Sequence, residues 1–329
     1  MDEQKETIEL EHGGGGQKSW ELIQMIRRVL NFKGKWTNTG DDGAALDLKK
    51  WGKIIFTTDS FIVDPLFFPG GDIGKIAMCG TINDLAVMGA RPLGIGLSLV
   101  IEEGFSKSDL VKILQSINVV SRQVGVPIVT GDTKVTERGK IDKIEITTSG
   151  IGLADKIINN GGAKRGDYII SSGDLGEHTV ALLSSRFNYK SRIKSDSKPL
   201  DKELSAVGKY LNACKDPTRG GLAANIVEIA DKSKVKIILD EKALPFKKET
   251  IAISELLGID VMSFASEGRF IAAVPSKNVK KVLAMLKKYN KEAKAIGRVE
   301  RGKGVFLMTR LGSLKPIEMP RGKLVPRIC

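Results

Sequence analysis

The chain has 329 residues, enough for one large or two medium domains with real cores. Apolar residues make up 41% and charged residues 28%, the balance of an ordinary folded protein, and no apolar run reaches the roughly eighteen residues of a membrane span. The net charge of +13 points to an acidic partner, but aromatics are only 5% and no basic stretch interleaves with them, so a solvated basic surface is expected rather than nucleic-acid binding.

The start of the chain, residues 1–10, is acidic and polar and lacks the basic-then-apolar pattern of a secretion signal; a cytoplasmic location is expected. The spacing predicts a helix over 17–32, with Trp20, Ile23, Ile26 and Leu30 on one stripe. A strand over 53–58 ends at Asp59. Residues 74–89 are almost wholly apolar at helical length, so that helix is expected to be buried on several sides. A strand follows at 93–101. Residues 107–124 place Leu110, Ile113, Leu114, Ile117, Val120 and Val124 at helical spacing, capped by Ser106 or Ser108. A short strand, 127–130, runs into Gly131-Asp132-Thr133, and another strand is expected at 143–153.

A second unit begins near 156, with NNGGAKRGD at 159–167 read as the connection. A strand at 168–172 is followed by helices near 177–186, 201–213 and 219–232. Strands near 235–239, 259–264 and 269–274, a helix over 277–289, and strands near 294–299 and 304–309 complete it. From about 315, Pro316, Pro320, Gly322 and Pro326 read as an extended tail without its own core. The alternation implies two α/β or α+β domains.

Three cysteines show neither CxxC nor zinc-ligand spacing, and an odd count argues against a disulfide framework. Cys79 and Cys214 read as small buried hydrophobes. The two histidines, His12 and His178, show no metal spacing. The first half repeatedly sets aspartates at the ends of apolar segments: Asp41-Asp42, Thr58-Asp59-Ser60, Asn83-Asp84 and Gly131-Asp132-Thr133-Lys134. Asp84 is the most telling, because an uncompensated carboxylate inside an apolar helix is expensive. A Mg²⁺ shared between several carboxylates and substrate phosphates accounts for the pattern; turn and cap roles at strand ends are the other reading. His12-Gly13-Gly14-Gly15-Gly16 offers bare amides for phosphates, or is a flexible arm, and is not a Walker motif. Asp216-Pro217-Thr218-Arg219-Gly220-Gly221 reads as a turn into a helix. Glu267, between two apolar segments, is either a general base or a hairpin-loop residue. The chain ends Val325-Pro326-Arg327-Ile328-Cys329, which is not a prenylation box. Cys329 is either an accessible nucleophile beside Arg327 or an incidental terminal cysteine. Residues 316–329 span at most about 45–50 Å when extended, enough to bring the thiol to a site on the same subunit.

Taken together these motifs resemble the HypE family of hydrogenase maturation proteins. That family belongs to the group containing aminoimidazole ribonucleotide synthetase, selenophosphate synthetase and thiamine-monophosphate kinase. The shared segments run along the whole chain: 12–16, 58–72, 83–90, 131–135, 216–221 and the Pro-Arg-Ile-Cys ending at 326–329, which is the specific one. The resemblance implies an α/β (α+β) fold of two aminoimidazole ribonucleotide synthetase-like domains, with mixed sheets packed by helices and an extended C-terminal tail. Residues 1–155 would form an ATP/Mg-binding and dimerisation domain, 156–314 a C-terminal α/β domain, and 315–329 a mobile tail. It implies a homodimer with ATP near the interface. It further implies that a HypF-type carbamoyltransferase loads Cys329. The enzyme would then dehydrate that carbamoyl group to a thiocyanate with ATP and Mg²⁺. A HypC–HypD scaffold would accept the cyano group for the iron of a [NiFe] hydrogenase. By the same resemblance, Asp42, Asp59, Asp84 and Asp132 hold metal and nucleotide, with Gly131 and Asn83 in the ATP site. Lys134 neutralises phosphate charge, Glu267 is the base, and Arg321 and Arg327 guide the tail or meet the carbamoyltransferase. Two other readings stay open: a small-molecule kinase or synthetase, indifferent to loss of Cys329, and a nucleotide-sensing scaffold without turnover.

Overall fold

The structure is a computed structural model that describes residues 16–29, 35, 37–38, 41–49, 52–320, 325 and 327–329. Helix α1 (Gln17–Val29) leads into β1 (Ala44–Asp47) and β2 (Lys53–Phe61). The short hairpin β3 (Phe67–Phe68) and β4 (Gly71–Asp72) feeds α2 (Ile73–Val87), and β5 (Arg91–Glu102), α3 (Lys107–Val124), β6 (Ile128–Thr136) and β7 (Ile144–Ala154) follow. The five long strands form one sheet in the order β1-β2-β7-β5-β6, antiparallel except for the parallel pair β5–β6.

Helix α2 lies against this sheet, and every residue of it except Lys75 and Asp84 is buried. Each fully buried Ile or Leu there stabilises by about 1.5–3 kcal/mol. Asp72 starts the helix: its Oδ1 accepts from Lys75 N–H at 3.0 Å and from the Ser116 hydroxyl at 2.6 Å, which also ties α2 to α3. The two helices touch at Gly74, where a Cβ would stand 2.5 Å from the Ile113 carbonyl oxygen.

The second half contains β8 (Tyr168–Ser171), α4 (Glu177–Arg186), α5 (Asp201–Val207), β9 (Ala213–Lys215), α6 (Gly221–Ser233), β10 (Lys236–Asp240) and α7 (Lys248–Leu257). It continues with β11 (Ile271–Val274), α8 (Val279–Leu286), β12 (Lys294–Glu300), β13 (Gly304–Met308) and β14 (Leu314–Ile317). Its seven strands run in the order β14-β13-β10-β12-β8-β11-β9, with β10–β13 the parallel pair. One face of this sheet packs on α6; the other packs on α5 and α8 and on Ala86 and Val87 of α2. Leu182 and Ala265 of the second half in turn enter the core of the first. The mixed α/β architecture with two sheets and packed helices is the expected one.

Several elements differ from their sequence reading. The helix expected to 213 stops at Val207, turns once as 3₁₀ (Gly208–Tyr210), and gives way to β9, whose backbone pairs with β11. The strand expected at 259–264 is a 3₁₀ turn (Val261–Ser263), because Asp260 Oδ1 takes the Met262 N–H at 2.9 Å; Met262 and Phe264 are apolar as core anchors. Strand β6 does not stop at 130: Gly131 and Asp132 stay in register with Leu97 and Ser98. Residues 315–317, counted with the tail, belong with Leu314 to β14, which pairs with β13 as an edge strand. Trp20 and Ile23 of the α1 stripe do not enter a core, being 52% and 51% exposed; the Ile26 side chain and Leu30 lie outside what the structure describes. Cys79 and Cys214 are buried, as read. No helix among the described residues is long and apolar enough to cross a membrane.

Candidate active site

Four carboxylates converge from four segments. Asp42 precedes β1, Asp59 lies on β2, Asp84 on α2, and Asp216 just after β9. One oxygen each from Asp42, Asp84 and Asp216 lies within 4.8 Å of the other two. The Thr57 hydroxyl sits 2.7 Å from Asp84 Oδ2 and 2.9 Å from the Asp42 carbonyl, bridging the two segments. Asp59 hydrogen-bonds to Asp84.

Burial and mutual repulsion shape the proton affinities. Burial, then the charges of Asp59, Asp216 and Asp42, push Asp84 well above the ordinary carboxylate range. Burial raises Asp59 despite its bond to Asp84. Asp216 is raised to about 7 by burial and by Asp42. Lys215 pairs with Asp42 and stands 3.7 Å from Glu228; burial disfavours its charge, but these carboxylates outweigh burial and raise it. Lys232 reaches Asp41 at 2.8 Å, so the 41–42 loop is bound to the second half at two points. Three carboxylates this close, one of them buried and two half-buried, repel one another unless protonated or metal-bound, and an all-oxygen donor set suits a hard divalent cation such as Mg²⁺. The cluster opens into a cavity of about 750 Å³, also lined by Trp20, Ile23 and Phe56.

Glu267 lies beside this cluster, 2% exposed, and its Oε1 has no hydrogen-bond partner among the described residues. Burial first, then Asp216, Asp196 and Asp59, push its pKa well up. Its backbone is held from both sides: its N–H donates to Asp196 Oδ1 at 3.0 Å and its carbonyl accepts from Asn83 Nδ2 at 3.2 Å. The next residue must be glycine, because a Cβ on Gly268 would stand 2.0 Å from the Asp196 carbonyl oxygen.

The C-terminus comes to the same place. Ile62 N–H donates to the Cys329 oxygen at 3.2 Å and Asp64 N–H to the Arg327 oxygen at 3.3 Å. The Ile328 side chain is buried in the core of the first half, and Cys329 packs against that core. Burial drives the Cys329 thiol up to about 12, with Arg219 opposing and Glu267, Asp59 and Asp216 adding to the rise. Arg219 lines the cavity, and its charge faces Cys329, Asp59, Glu267 and Asp84 together.

Of the residues singled out by sequence, Asp42, Asp59, Asp84, Glu267 and Cys329 are thus gathered at one site. Asn83 is adjacent, but its amide is spent on the main chain: Oδ1 accepts from Leu200 N–H at 2.8 Å, and Nδ2 donates to Lys198 O at 3.1 Å as well as to Glu267 O. Gly131, Asp132 and Lys134 lie elsewhere, on edge strand β6. There Asp132 and Lys134 are exposed and 3.7 Å apart, and neither lines the carboxylate cavity of this chain. Of the glycine run, Gly16 lines the cavity, while His12 to Gly15, like Arg321, lie outside the described residues. Sequence reading missed Asp216, Lys215 and Arg219 as members of the site. The available signal was the Asp-Pro-Thr-Arg-Gly-Gly turn, which places Asp216 and Arg219 at the mouth of a helix.

Residues 40–154 match the AIR synthase related protein, N-terminal domain, and 164–310 the AIR synthase related protein, C-terminal domain. The chain is 41% identical over 333 residues to the carbamoyl dehydratase HypE of Cupriavidus necator, covering 98% of this chain and 95% of that one. A solved HypE–HypF complex contains a chain that superposes with a TM-score of 0.84 at 39% identity, covering 91% of this chain and 99% of that one. A HypE structure in complex with ATP superposes with a TM-score of 0.82 at 35% identity, covering 98% and 100%. On fold, on the extent of these likenesses and on its two matched domains, the chain belongs to the HypE family of hydrogenase maturation proteins.

Proposed function

We propose that this chain is an ATP-dependent carbamoyl dehydratase that acts on its own Cys329 during [NiFe] hydrogenase maturation. One observation carries the reading: the Cys329 end of the tail is seated where Glu267, Arg219 and the carboxylate cluster meet. A small-molecule kinase has no use for a cysteine held there. The ATP complex of one relative and the name of another support the same chemistry.

The reaction converts a carbamoyl group on sulfur, with ATP, into a thiocyanate, ADP and phosphate. The carbamoyl oxygen attacks the γ-phosphorus, and the bond from that phosphorus to the ADP oxygen breaks. The carbon–oxygen bond to the new phosphate then breaks while the nitrogen loses its protons and the carbon–nitrogen triple bond forms. Asp42, Asp84 and Asp216, with Asp59 beside them, would hold Mg²⁺, which would supply charge neutralisation for the phosphates. Arg219, which lines the cavity, would neutralise the charge that develops on the leaving phosphate. Glu267 takes the amide proton; a carboxylate pushed up by burial is a stronger base than one in water. Trp20, Ile23 and Phe56 form an apolar wall suited to the adenine base.

A homodimer belongs to this reading. Strand β6 is an open sheet edge with Val129 62% and Val135 70% exposed, a surface that a second copy would cover. Asp132, Gly131 and Lys134 then act at the partner's nucleotide, with Lys134 neutralising phosphate. Residues 1–155 form the ATP-binding and dimerisation domain, 156–314 the C-terminal domain, and 315–329 the tail. The carbamoyl donor is a HypF-type carbamoyltransferase, the acceptor of the cyano group a HypC–HypD scaffold, and the location the cytoplasm. Intact-protein mass spectrometry tests the whole. Cys329 should gain one carbamoyl group from the carbamoyltransferase, then lose the mass of one water on addition of Mg-ATP. No adduct on Cys329 with a competent carbamoyltransferase overturns the reading.

A further inference from the structure

A tethered substrate reacts only when its tether is held in register, and two side chains outside the reacting cluster hold this one. We propose that His178 and Arg186 are positioning residues, a clamp on the main chain of residues 327–328 that holds Cys329 in place against the core of the first half. The inference rests on reading Cys329 as the substrate carrier.

His178 is fully buried on α4, and its Nε2 lies 2.7 Å from the carbonyl oxygen of Ile328, the peptide immediately before Cys329. A carbonyl only accepts, so Nε2 carries the proton and Nδ1 accepts from the Ser195 hydroxyl at 2.9 Å. Ser195 is itself fixed: its N–H donates to the Pro69 oxygen at 2.8 Å, and its Oγ accepts from Ser197 N–H at 3.2 Å. Phe68 meets the imidazole edge-on at 5.3 Å. Burial lowers the pKa of His178, which keeps the ring neutral and the donor on Nε2. Both ring nitrogens are thus engaged, Nδ1 with Ser195 and Nε2 with the tail.

Arg186, at the other end of the same helix, donates from Nη2 to the Arg327 oxygen at 2.9 Å and to the Asp64 oxygen at 2.6 Å, with Nε adding a bond to Asp64 O at 2.8 Å. It thereby joins the tail to the segment whose amides bond residues 327 and 329. Arg327 sits at φ +53°, a left-handed conformation that a non-glycine residue keeps only when firmly held. Its carbonyl is taken by Arg186 and Asp64, and its guanidinium pairs with Asp142. Ile328 fills the core beside Leu182 of α4. The clamp reads main-chain oxygens and one apolar side chain, and touches nothing on the sulfur. It therefore holds a free and a carbamoylated Cys329 alike.

The test is the rate at which iodoacetamide alkylates Cys329 in the full-length protein, read by peptide mapping against buried Cys79 and Cys214. Losing His178 strands the Ile328 carbonyl, and losing Arg186 leaves the Arg327 carbonyl with only the Asp64 N–H, so His178→Ala and Arg186→Gln should each speed alkylation of Cys329 by roughly tenfold. His178→Gln, which can place an amide N–H near the Nε2 position, should restore slow alkylation. Single-turnover dehydration should slow in the same order while ATP affinity stays unchanged. If His178→Ala does not fold, Arg186→Gln decides. Wild-type alkylation rates in the folded variants overturn the clamp. Alkylation needs neither carbamoyl donor nor ATP, so that result leaves the dehydratase reading standing, and loss of that reading leaves the clamp measurable.

Discussion

Replacing Asp216 by Asn should make the metal-free protein more stable at neutral and alkaline pH, although it removes a residue of the proposed active site. Asp216 is 4% exposed, and its pKa moves from an ordinary 3.8 to about 7, by burial first and Asp42 second. The folded chain therefore binds this proton more tightly than the unfolded chain. The stability it contributes is fully present below about pH 4 and is lost as pH rises through about 7. The displacement corresponds to about 4 kcal/mol, a ceiling because neighbouring carboxylates share the same protons. An amide of the same shape carries no charge to bury. Urea unfolding in excess chelator, from about pH 4 to pH 8.5, reads the effect. The two proteins should be similar at the acid end, and Asp216→Asn should be more stable by up to about 4 kcal/mol at the alkaline end. Added Mg²⁺ should restore stability to the native chain and do less for the variant. A variant that is equally or less stable than the native chain at pH 8 in chelator refutes the argument that the cluster is strained by unneutralised charge.

Three further outcomes follow from the same geometry. Glu267→Gln should leave stability within about 1 kcal/mol, because the amide matches the carboxyl in shape and removes a charge that burial disfavours; it should spare Mg-ATP binding by calorimetry yet abolish the loss of water seen by mass spectrometry. Gly268→Ala forces the Asp196 carbonyl away from a Cβ that would stand 2.0 Å from it, so it should cost about 2–4 kcal/mol in urea unfolding and slow dehydration by misplacing Glu267. Lys215→Met removes the cation paired with Asp42 and Glu228, and should destabilise the chelated protein by about 3–5 kcal/mol at pH 8. The loss should shrink toward pH 5, where Asp216 takes up a proton; an undiminished loss there would place the role of Lys215 in packing rather than charge.

The resemblance of the motifs supplied the fold class, and periodicity supplied most long elements. Helix α3 was legible to the residue because its stripe and its Ser106 cap are local signals. Helix α2 was legible because a nearly all-apolar segment has to be buried on several sides. Shorter elements were not. Strand β9 exists because Cys214 pairs with Ala272, and the turn at 261–263 exists because Asp260 caps it; an apolar run alone does not distinguish these outcomes. Trp20 and Ile23 show the converse: a helical stripe identifies a face, and the fold decides that this face looks onto a cavity.

The site divides in the same way. Its chemistry was written in residue types: aspartates at the ends of apolar segments, a glutamate beside a glycine, a cysteine at the end of a proline-broken tail. A charge placed where burial is costly signals its purpose without coordinates. Partnership was not written there, because it depends on residues over a hundred positions apart meeting in space. Only the packing of α2 between the two halves brings Asp216 to Asp84 and sets Asn83 to hold the Glu267 loop, and only the docking of the tail on α4 places His178 against the carbonyl that precedes Cys329.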